Sequence, residues 1–294
     1  MRICIWTDND LDGAGSALII KKIYTETYKD SVVEINEVND NTFVSKFKAW
    51  YPSRQQYQKI YITDHHIQEE LVELVDQPNF VIIDHHKSHV DLKDRYKQAK
   101  VIIEDTTSTV ALLIKTFKVE TKTFATPEFL DLLAAIDDYD CYKLNHKHSL
   151  NLNAIFGTYS RPRSASFIAN FENGMRSFTL LEKNAIKIYF NKLKDQLQNT
   201  EYFTGMIKQY TVTGCFATHA INEVAHFTLK RFNTDIVIVI NPVTKNVSFR
   251  RSRTCDAKLN ILAEKLCEGG GHEAAAGGKL TNTFLKFTTT LIPC

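Results

Sequence analysis

The first half of the chain alternates short apolar runs with segments whose apolar residues recur at helical spacing. The runs "RICIW" (2–6), "VVEIN" (32–36), "KIYIT" (59–63), "FVIID" (80–84) and "KVIIE" (100–104) are rich in Val and Ile. Several are apolar on both faces, as strands buried inside a parallel sheet are. Between them, 13–28, 67–75 and 108–118 read as helices. Strand–helix alternation of this kind predicts an α/β fold built on a doubly wound parallel sheet.

From about 127 the pattern turns helical. "PEFLDLLAAIDDYD" opens with Pro at a first helical position, where its missing N–H costs nothing. Residues 177–200 form a long amphipathic pattern able to link two domains. Strands return at 208–217, 235–241 and 246–250, followed by a helix at 259–267, a glycine cluster and a last strand near 284–289. The pattern therefore divides the chain into a larger domain (1–176), a linker helix (177–200) and a smaller α/β domain (201–294).

Composition narrows the class. At 294 residues, 44% hydrophobic and 24% charged, the chain can build ordinary cores without staples. A net charge of +2 is too small for a global field to gather nucleic acid or membrane, so an anionic ligand must be held by local charge. Six cysteines (Cys4, Cys141, Cys215, Cys255, Cys267, Cys294) are scattered without a CxxC pair. They read as reduced thiols of a cytosolic protein, not a disulfide framework or zinc cluster. No window approaches the run of ~18 apolar residues that spans a bilayer. "MRICIW" reads as a buried strand, not a signal peptide. These features point to the cytoplasm and away from a membrane partner.

Acids crowd the strand ends. The first strand runs into "TDNDLDGAGSA" (7–17), where Asp8, Asp10 and Asp12 alternate ahead of Gly13. Alternating acids at the carboxyl end of a parallel strand enter the crevice where α/β ligands bind. Their mutual repulsion calls for a divalent cation, the partner of hard oxygen ligands. Helix-capping acids in a solvated turn account for one such residue and poorly for three. An EF-hand lacks its twelfth-position Glu here. Asp64 and Asp84 end two further strands, each inside an Asp-His-His triplet (64–66 and 84–86). "AAIDDYDCY" adds Asp137, Asp138 and Asp140 at the end of a helix. Taken singly, the pieces have plain structural readings: His65 and His66 on the surface at a helix start, His89 exposed to solvent, Asp140 capping its helix. Together they can surround two cations.

These motifs, in this order, resemble the DHH phosphoesterase superfamily in its DHH–DHHA1 branch, which includes RecJ-type exonucleases, nanoRNases and cyclic-dinucleotide phosphodiesterases. "DNDLDG" is similar to the first motif, "ITD" (62–64) to the second, "IIDHHKSH" to the third, "IDDYD" to the fourth and "GGGHEAAAGG" (269–278) to the C-terminal glycine–histidine motif. The resemblance covers most of the chain. It implies two Mn²⁺ ions, with Mg²⁺ or Co²⁺ as substitutes. Asp8, Asp10 and Asp64 would surround one ion. Asp12, Asp64, His85 and a fourth-motif aspartate, taken as Asp138 with Asp137 the alternative, would surround the other. Asp84 would orient His85, and His86 would face the substrate phosphate. Two departures stand out: Asp8 occupies a place where many relatives have His, and the resemblance supplies no role for His65 and His66.

The glycine motif has its own physics. Gly269, Gly270 and Gly271 permit positive φ and close backbone approach, successive N–H groups can cradle an anion, and His272 can add a charge. Arg250, Arg251 and Arg253 sit at a strand end, and guanidinium forks suit phosphate oxygens. Without the upstream motifs, a glycine helix cap and surface arginines would explain this stretch slightly better. With them, Arg250, Arg251, Gly270, Gly271 and His272 are expected to bind substrate. The sequence thus reads as a manganese-dependent phosphodiesterase cutting short oligonucleotides or single-stranded ends to mononucleotides. The rivals are a cyclic-dinucleotide or 3′-phosphoadenosine-phosphate hydrolase, a RecJ-like exonuclease, and a nucleotide sensor without catalysis. The reading fixes no oligomeric state and allows a homodimer.

Overall fold

The computed structural model describes residues 1–86, 89, 93–104, 107–289 and 291–293. Lys87 and Ser88 of the third motif, and Cys294, lie outside the described residues. The chain divides into two compact units, Met1–Ile186 and Lys187–Cys294.

In the first unit, strands β1 (Arg2–Asp8), β2 (Val32–Val38), β3 (Lys59–Thr63), β4 (Phe80–Asp84) and β5 (Lys100–Ile103) follow the apolar runs. They form a parallel sheet in the order β2-β1-β3-β4-β5. Alternate side chains feed two cores, one on each face. Ile3, Ile5, Val81 and Ile83 pack with helices α1 (Leu11–Thr27), α4 (Thr109–Phe117), α5 (Pro127–Asp140), α6 (Ser149–Phe156) and α7 (Arg163–Phe171). Cys4, Trp6, Ile60, Ile62, Phe80 and Ile82 pack against α2 (Asp40–Trp50) and α3 (Val72–Val75). Two covered faces are the reason these strands are apolar on both sides. The expected α/β, doubly wound sheet is what forms.

Helix α2 is one element that the apolar pattern did not predict. The Asn39 side chain accepts a hydrogen bond from the Thr42 N–H at its start, and Phe43 and Phe47 bury its face. The helix expected over 67–75 is shorter: Glu69–Leu71 makes one 3₁₀ turn and only Val72–Val75 is α-helical. Strand order reverses between β1 and β3. Ligands of open α/β sheets settle at such a switch point, outside the carboxyl ends of the strands.

Helix α8 (Leu180–Asn199) runs across the boundary between the units. The second unit holds a mixed sheet of β6 (Tyr202–Ile207), β7 (Tyr210–Phe216), β8 (Ile236–Asn241), β9 (Asn246–Arg251), β10 (Gly270–Gly271), β11 (Ala275–Lys279) and β12 (Ile292–Pro293). Their order is β10-β11-β9-β8-β7-β6-β12. Strands β7 and β8 are parallel, joined through helix α9 (Ile221–Phe232). Val237 and Val239 of β8 face Val224 and Ala225 of α9. Ile236, Ile238 and Ile240 face the other way, toward Phe249, Phe284 and helix α10 (Leu259–Cys267). The strand expected near 284–289 is instead helix α11 (Asn282–Thr288). The Thr281 hydroxyl caps it by accepting the Phe284 N–H at 3.1 Å, and Phe284 buries against Phe249. No helix among the described residues is long and apolar enough to cross a membrane.

Candidate functional site

Parallel register places the acids. Thr7 of β1 pairs with Thr63 of β3, and Thr63 with Ile83 of β4, so Asp8, Asp64 and Asp84 follow at three adjacent strand ends. Beneath them the Thr63 hydroxyl meets that of Thr7 at 3.1 Å, which in turn donates to the Gly13 carbonyl at 2.9 Å. Gly13 must be glycine. A Cβ there would lie 2.4 Å from the Asp8 carbonyl oxygen, so only a bare backbone lets α1 press against the end of β1. Asp64 sits one residue past β3 with φ +55°. Among residues with a Cβ, Asp and Asn tolerate this left-handed backbone best. The turn is held by its N–H, which donates to the Ile83 carbonyl at 3.0 Å.

Three helices bring the remaining groups. Asp10 caps α1, accepting from the Gly13 N–H at 2.8 Å. Asp12, in the first turn and 1% exposed, accepts from the Thr109 and Val110 N–H groups at 2.7 and 3.0 Å. These are the unsatisfied donors that open α4. The Thr109 hydroxyl adds a bond to Asp64 at 3.1 Å. The His85 Nε2 lies 3.5 Å from Asp64, 3.5 Å from Asp140 and 4.0 Å from Asp12. Asp64, His85 and His86 each offer a ligand atom within 4.8 Å of the others, and so do Asp12, His85 and Asp140. Asp8 is partly buried, with Oδ1 accepting the Asn9 N–H at 2.7 Å, and falls outside both groupings.

The fourth-motif aspartate in the cluster is Asp140, not Asp138 or Asp137. Asp138 accepts from the Asn145 and His146 N–H groups, each at 3.0 Å, and from the Ser149 hydroxyl at 2.6 Å, which ties the chain after α5 to the helix. Asp137 accepts from Thr107 at 2.5 Å and Ser108 at 2.6 Å, steadying the start of α4. Residues two apart on a helix point about 200° away from each other, so Asp138 and Asp140 cannot serve the same centre. Asp140 does more than cap its helix.

The histidines are also redistributed. Asp84 is fully buried and spends its two oxygens on His86 Nδ1 at 2.7 Å and His89 Nδ1 at 2.8 Å, rather than orienting His85. His89, expected at the surface, is fully buried and approaches the Tyr96 hydroxyl at 3.4 Å. The histidines of the first Asp-His-His triplet pack inside the unit: His65 is 1% exposed and stacks on Phe43 with ring centroids 4.1 Å apart. His66 lies against His89, centroids 5.3 Å apart.

Electrostatics describe a centre with too much negative charge for its burial. Burial, then the neighbouring Asp12, pushes Asp10 above the usual carboxylate range. Burial, then Asp64, pushes Asp12 up to about 8. Burial raises Asp64 with help from Asp10, and raises Asp140 with help from Asp12. Burial would depress both imidazoles, but the surrounding carboxylates outweigh it. Asp64 and Asp140 raise His85 to about 11, and Asp84 raises His86 to about 9. Asp84 runs the other way: burial opposes its charge, yet its bonds from His86 and His89 hold it well below the usual range. Four carboxylates that resist ionising together, beside two imidazoles, are a donor set that divalent cations fit.

In the second unit, Arg250 and Arg251 end β9 and adjoin the glycine hairpin. The Arg251 N–H donates to the Ala274 carbonyl at 3.2 Å, and Arg250 Nη1 reaches the Ala276 carbonyl at 3.5 Å. The hairpin tip closes through the His272 N–H and Ala275 carbonyl at 2.8 Å. Gly271 has φ +129° and needs to be glycine, whereas a Cβ on Gly270 would meet open space. Helix α10 ends on Glu268 in the left-handed conformation, so the cap is not a glycine. Asn222 is a further polar residue that sequence reasoning missed. Its Oδ1 accepts from Arg250 Nη2 at 2.6 Å, a pairing across 28 residues that leaves no local signal.

An acidic and imidazole cluster at the switch point of a parallel sheet defines a candidate metal-dependent hydrolytic centre. Residues 2–135, a little under half of the chain, match the model of the DHH family, N-terminal domain. Three solved structures are similar over almost the whole chain. An exopolyphosphatase-related protein from Bacteroides fragilis has 16% identity, covering 98% of this chain and 89% of that one, with a TM-score of 0.58. The exonuclease RecJ bound to manganese has 14% identity, covering 98% and 88%, with a TM-score of 0.54. RecJ in complex with Mn²⁺ from Thermus thermophilus has 13% identity and a TM-score of 0.57. It matches 98% of this chain but only 51% of its own length. Likeness at this level is a likeness of fold. No curated protein matches the sequence.

Proposed function

We propose that the protein is a cytoplasmic phosphodiesterase, manganese its working ion, that hydrolyses short oligonucleotides or single-stranded ends to mononucleotides. The observation that carries this reading is the meeting of Asp10, Asp12, Asp64 and Asp140 with His85 and His86 at the carboxyl edge of a DHH-family sheet. These six side chains would hold the ions, with His85 common to both groupings and Asp8 outside them. Bound divalent cations supply charge neutralisation and a water activated for attack on phosphorus. The protein's own groups do the rest. Asp84 holds His86 through Nδ1, which leaves the lone pair of neutral His86 on Nε2. The N–H groups opening α4 fix both oxygens of Asp12, so its carboxylate cannot turn away. In the second unit, a DHHA1-like domain in this reading, Arg250, Arg251, Gly270, Gly271 and His272 would grip the terminal nucleotide.

A modest net charge favours short substrates, because long strands need an extended cationic and aromatic track. The test is kcat/KM with Mn²⁺ for single strands from about two to thirty nucleotides, with cyclic dinucleotides and 3′-phosphoadenosine phosphate alongside. The expected optimum lies at about two to five nucleotides. A steady rise with length would overturn the short-substrate reading. No Mn²⁺-dependent release of mononucleotides from any strand would overturn the phosphodiesterase itself and favour a sensor.

A further inference from the structure

Helix α9 presents a line of polar groups that the metal centre does not use. Asn222, His226 and Lys230 are spaced i, i+4, i+8 and so follow one another along one side of the helix. Val224, Ala225 and Thr228 occupy the buried side. The one acid of the helix, Glu223, is 2% exposed, so the solvent-facing groups are cationic or neutral. Two arginines join the line from the neighbouring strand. Arg250 pairs in register with Val237, whose side chain faces α9. It therefore emerges on the same face, where Nη2 donates to Asn222 at 2.6 Å. Arg253, exposed just beyond β9, reaches His226 electrostatically. Burial first, then Lys230 and Arg253, hold His226 below the usual imidazole range. Phe227, 40% exposed, stands beside this line with its ring 6.2 Å from that of His226.

We infer that this face of α9 is a track for the internal phosphates of a single-stranded oligonucleotide, formed by Asn222, His226, Lys230, Arg250 and Arg253, with Phe227 as a stacking platform for one base. The inference rests on the phosphodiesterase reading above for the class of ligand, and extends from Arg250, already placed at the terminal nucleotide, to residues that act beyond it. Charge and spacing select the ligand. Eight residues of helix rise about 12 Å, room for about two or three phosphates of an extended strand. An exposed aromatic flanking the cations is the arrangement by which single strands are held without regard to sequence. The track ends with the helix at Phe232, so it holds a few nucleotides and no more.

The test is binding of fluorescein-labelled DNA by anisotropy in EDTA, where hydrolysis cannot contribute. A dinucleotide and a hexanucleotide are compared across a salt series. The wild-type protein should bind the hexanucleotide at least about tenfold more tightly than the dinucleotide. Combining Lys230→Ala with Arg253→Ala should weaken the hexanucleotide about tenfold and reduce its log K against log salt slope by about 1.4, or ~0.7 per phosphate on a single strand, while dinucleotide affinity moves less than about twofold. Phe227→Ala should weaken the hexanucleotide about fivefold or more without changing that slope. Lys286→Ala on α11, a helix packed on the opposite core of the same sheet, is the control and should change nothing. Wild-type protein that fails to distinguish the two lengths, or a double variant with unchanged hexanucleotide affinity and slope, overturns the track. Failure of the phosphodiesterase reading shows separately, as absence of Mn²⁺-dependent hydrolysis in wild-type protein.

Discussion

Asp138 and Asp140 share a helix end and do opposite work, and substitution separates them. Asp140→Asn should abolish Mn²⁺-dependent turnover and weaken Mn²⁺ binding, while the metal-free protein keeps or gains thermal stability because one of four crowded carboxylates loses its charge. Asp138→Asn breaks a set of three hydrogen bonds and should cost about 2–4 kcal/mol of stability, with turnover of the folded fraction changed only a few-fold. Calorimetry and single-turnover assays on the pair read both quantities, and the reverse pattern would return the site to Asp138. Nothing in "IDDYD" announces which aspartate faces inward. That depends on helix phase and on the Asn145–Ser149 turn, which no local pattern reveals. The acids following β1 and β3 were legible because strand ends and alternation place them, and His89 was misjudged because its partner Asp84 is what draws it inside. The same charges set a pH dependence for the metal-free protein. Asp12, raised to about 8 by burial and Asp64, binds its proton more tightly folded than unfolded. It therefore contributes stability that is full below an ordinary carboxylate pKa of about 4 and is lost as pH climbs through about 8. Melting temperature in EDTA should fall between pH 5 and 8, and the gain on adding Mn²⁺ should be largest at the upper end. A melting temperature in EDTA that rises over this range would remove the case for crowded carboxylates.

Among the elements, the approach of α1 to β1 and the start of α4 hold the centre together. Gly13→Ala places a methyl against backbone at 2.4 Å, an obstacle that no side-chain rotation removes. The expected result is a loss of several kcal/mol, comparable to severe overpacking, together with loss of Mn²⁺ binding. Ser108→Ala is milder. It removes the cap on the Ala111 N–H and a bond to Asp137, about 1–2 kcal/mol in all, and should raise the Mn²⁺ dissociation constant because Asp12 depends on the same helix end. Unchanged Mn²⁺ affinity in Ser108→Ala would mean that Asp12 does not rely on that helix. The strands of the first unit were legible because burial on both faces writes continuous Val and Ile runs. Helix α2 was not, because "DNTFVSKFKAW" carries only a few apolar residues spaced among charges. In the stretch near 284–289, expected as a strand, Phe284 and Phe287 at i, i+3 and the Thr281 cap decide for a helix.

At the scale of the whole molecule, each unit has its own cores, so binding at one should stabilise that one alone. Differential scanning calorimetry should resolve two transitions. Mn²⁺ at about a hundredfold over its dissociation constant should add about 2.7 kcal/mol to the transition of the first unit and leave the second in place. A single transition shifted as a block would show that the units unfold together. The division into units has a further meaning in the history of genes. Every side chain proposed to hold an ion comes from residues 10–140, all of them within the first unit. A recombination breakpoint at the codon for Lys187, within α8, would therefore exchange the second unit whole and sever none of them. If the second unit binds the substrate as proposed, the chemistry and the choice of molecule acted upon are free to descend separately.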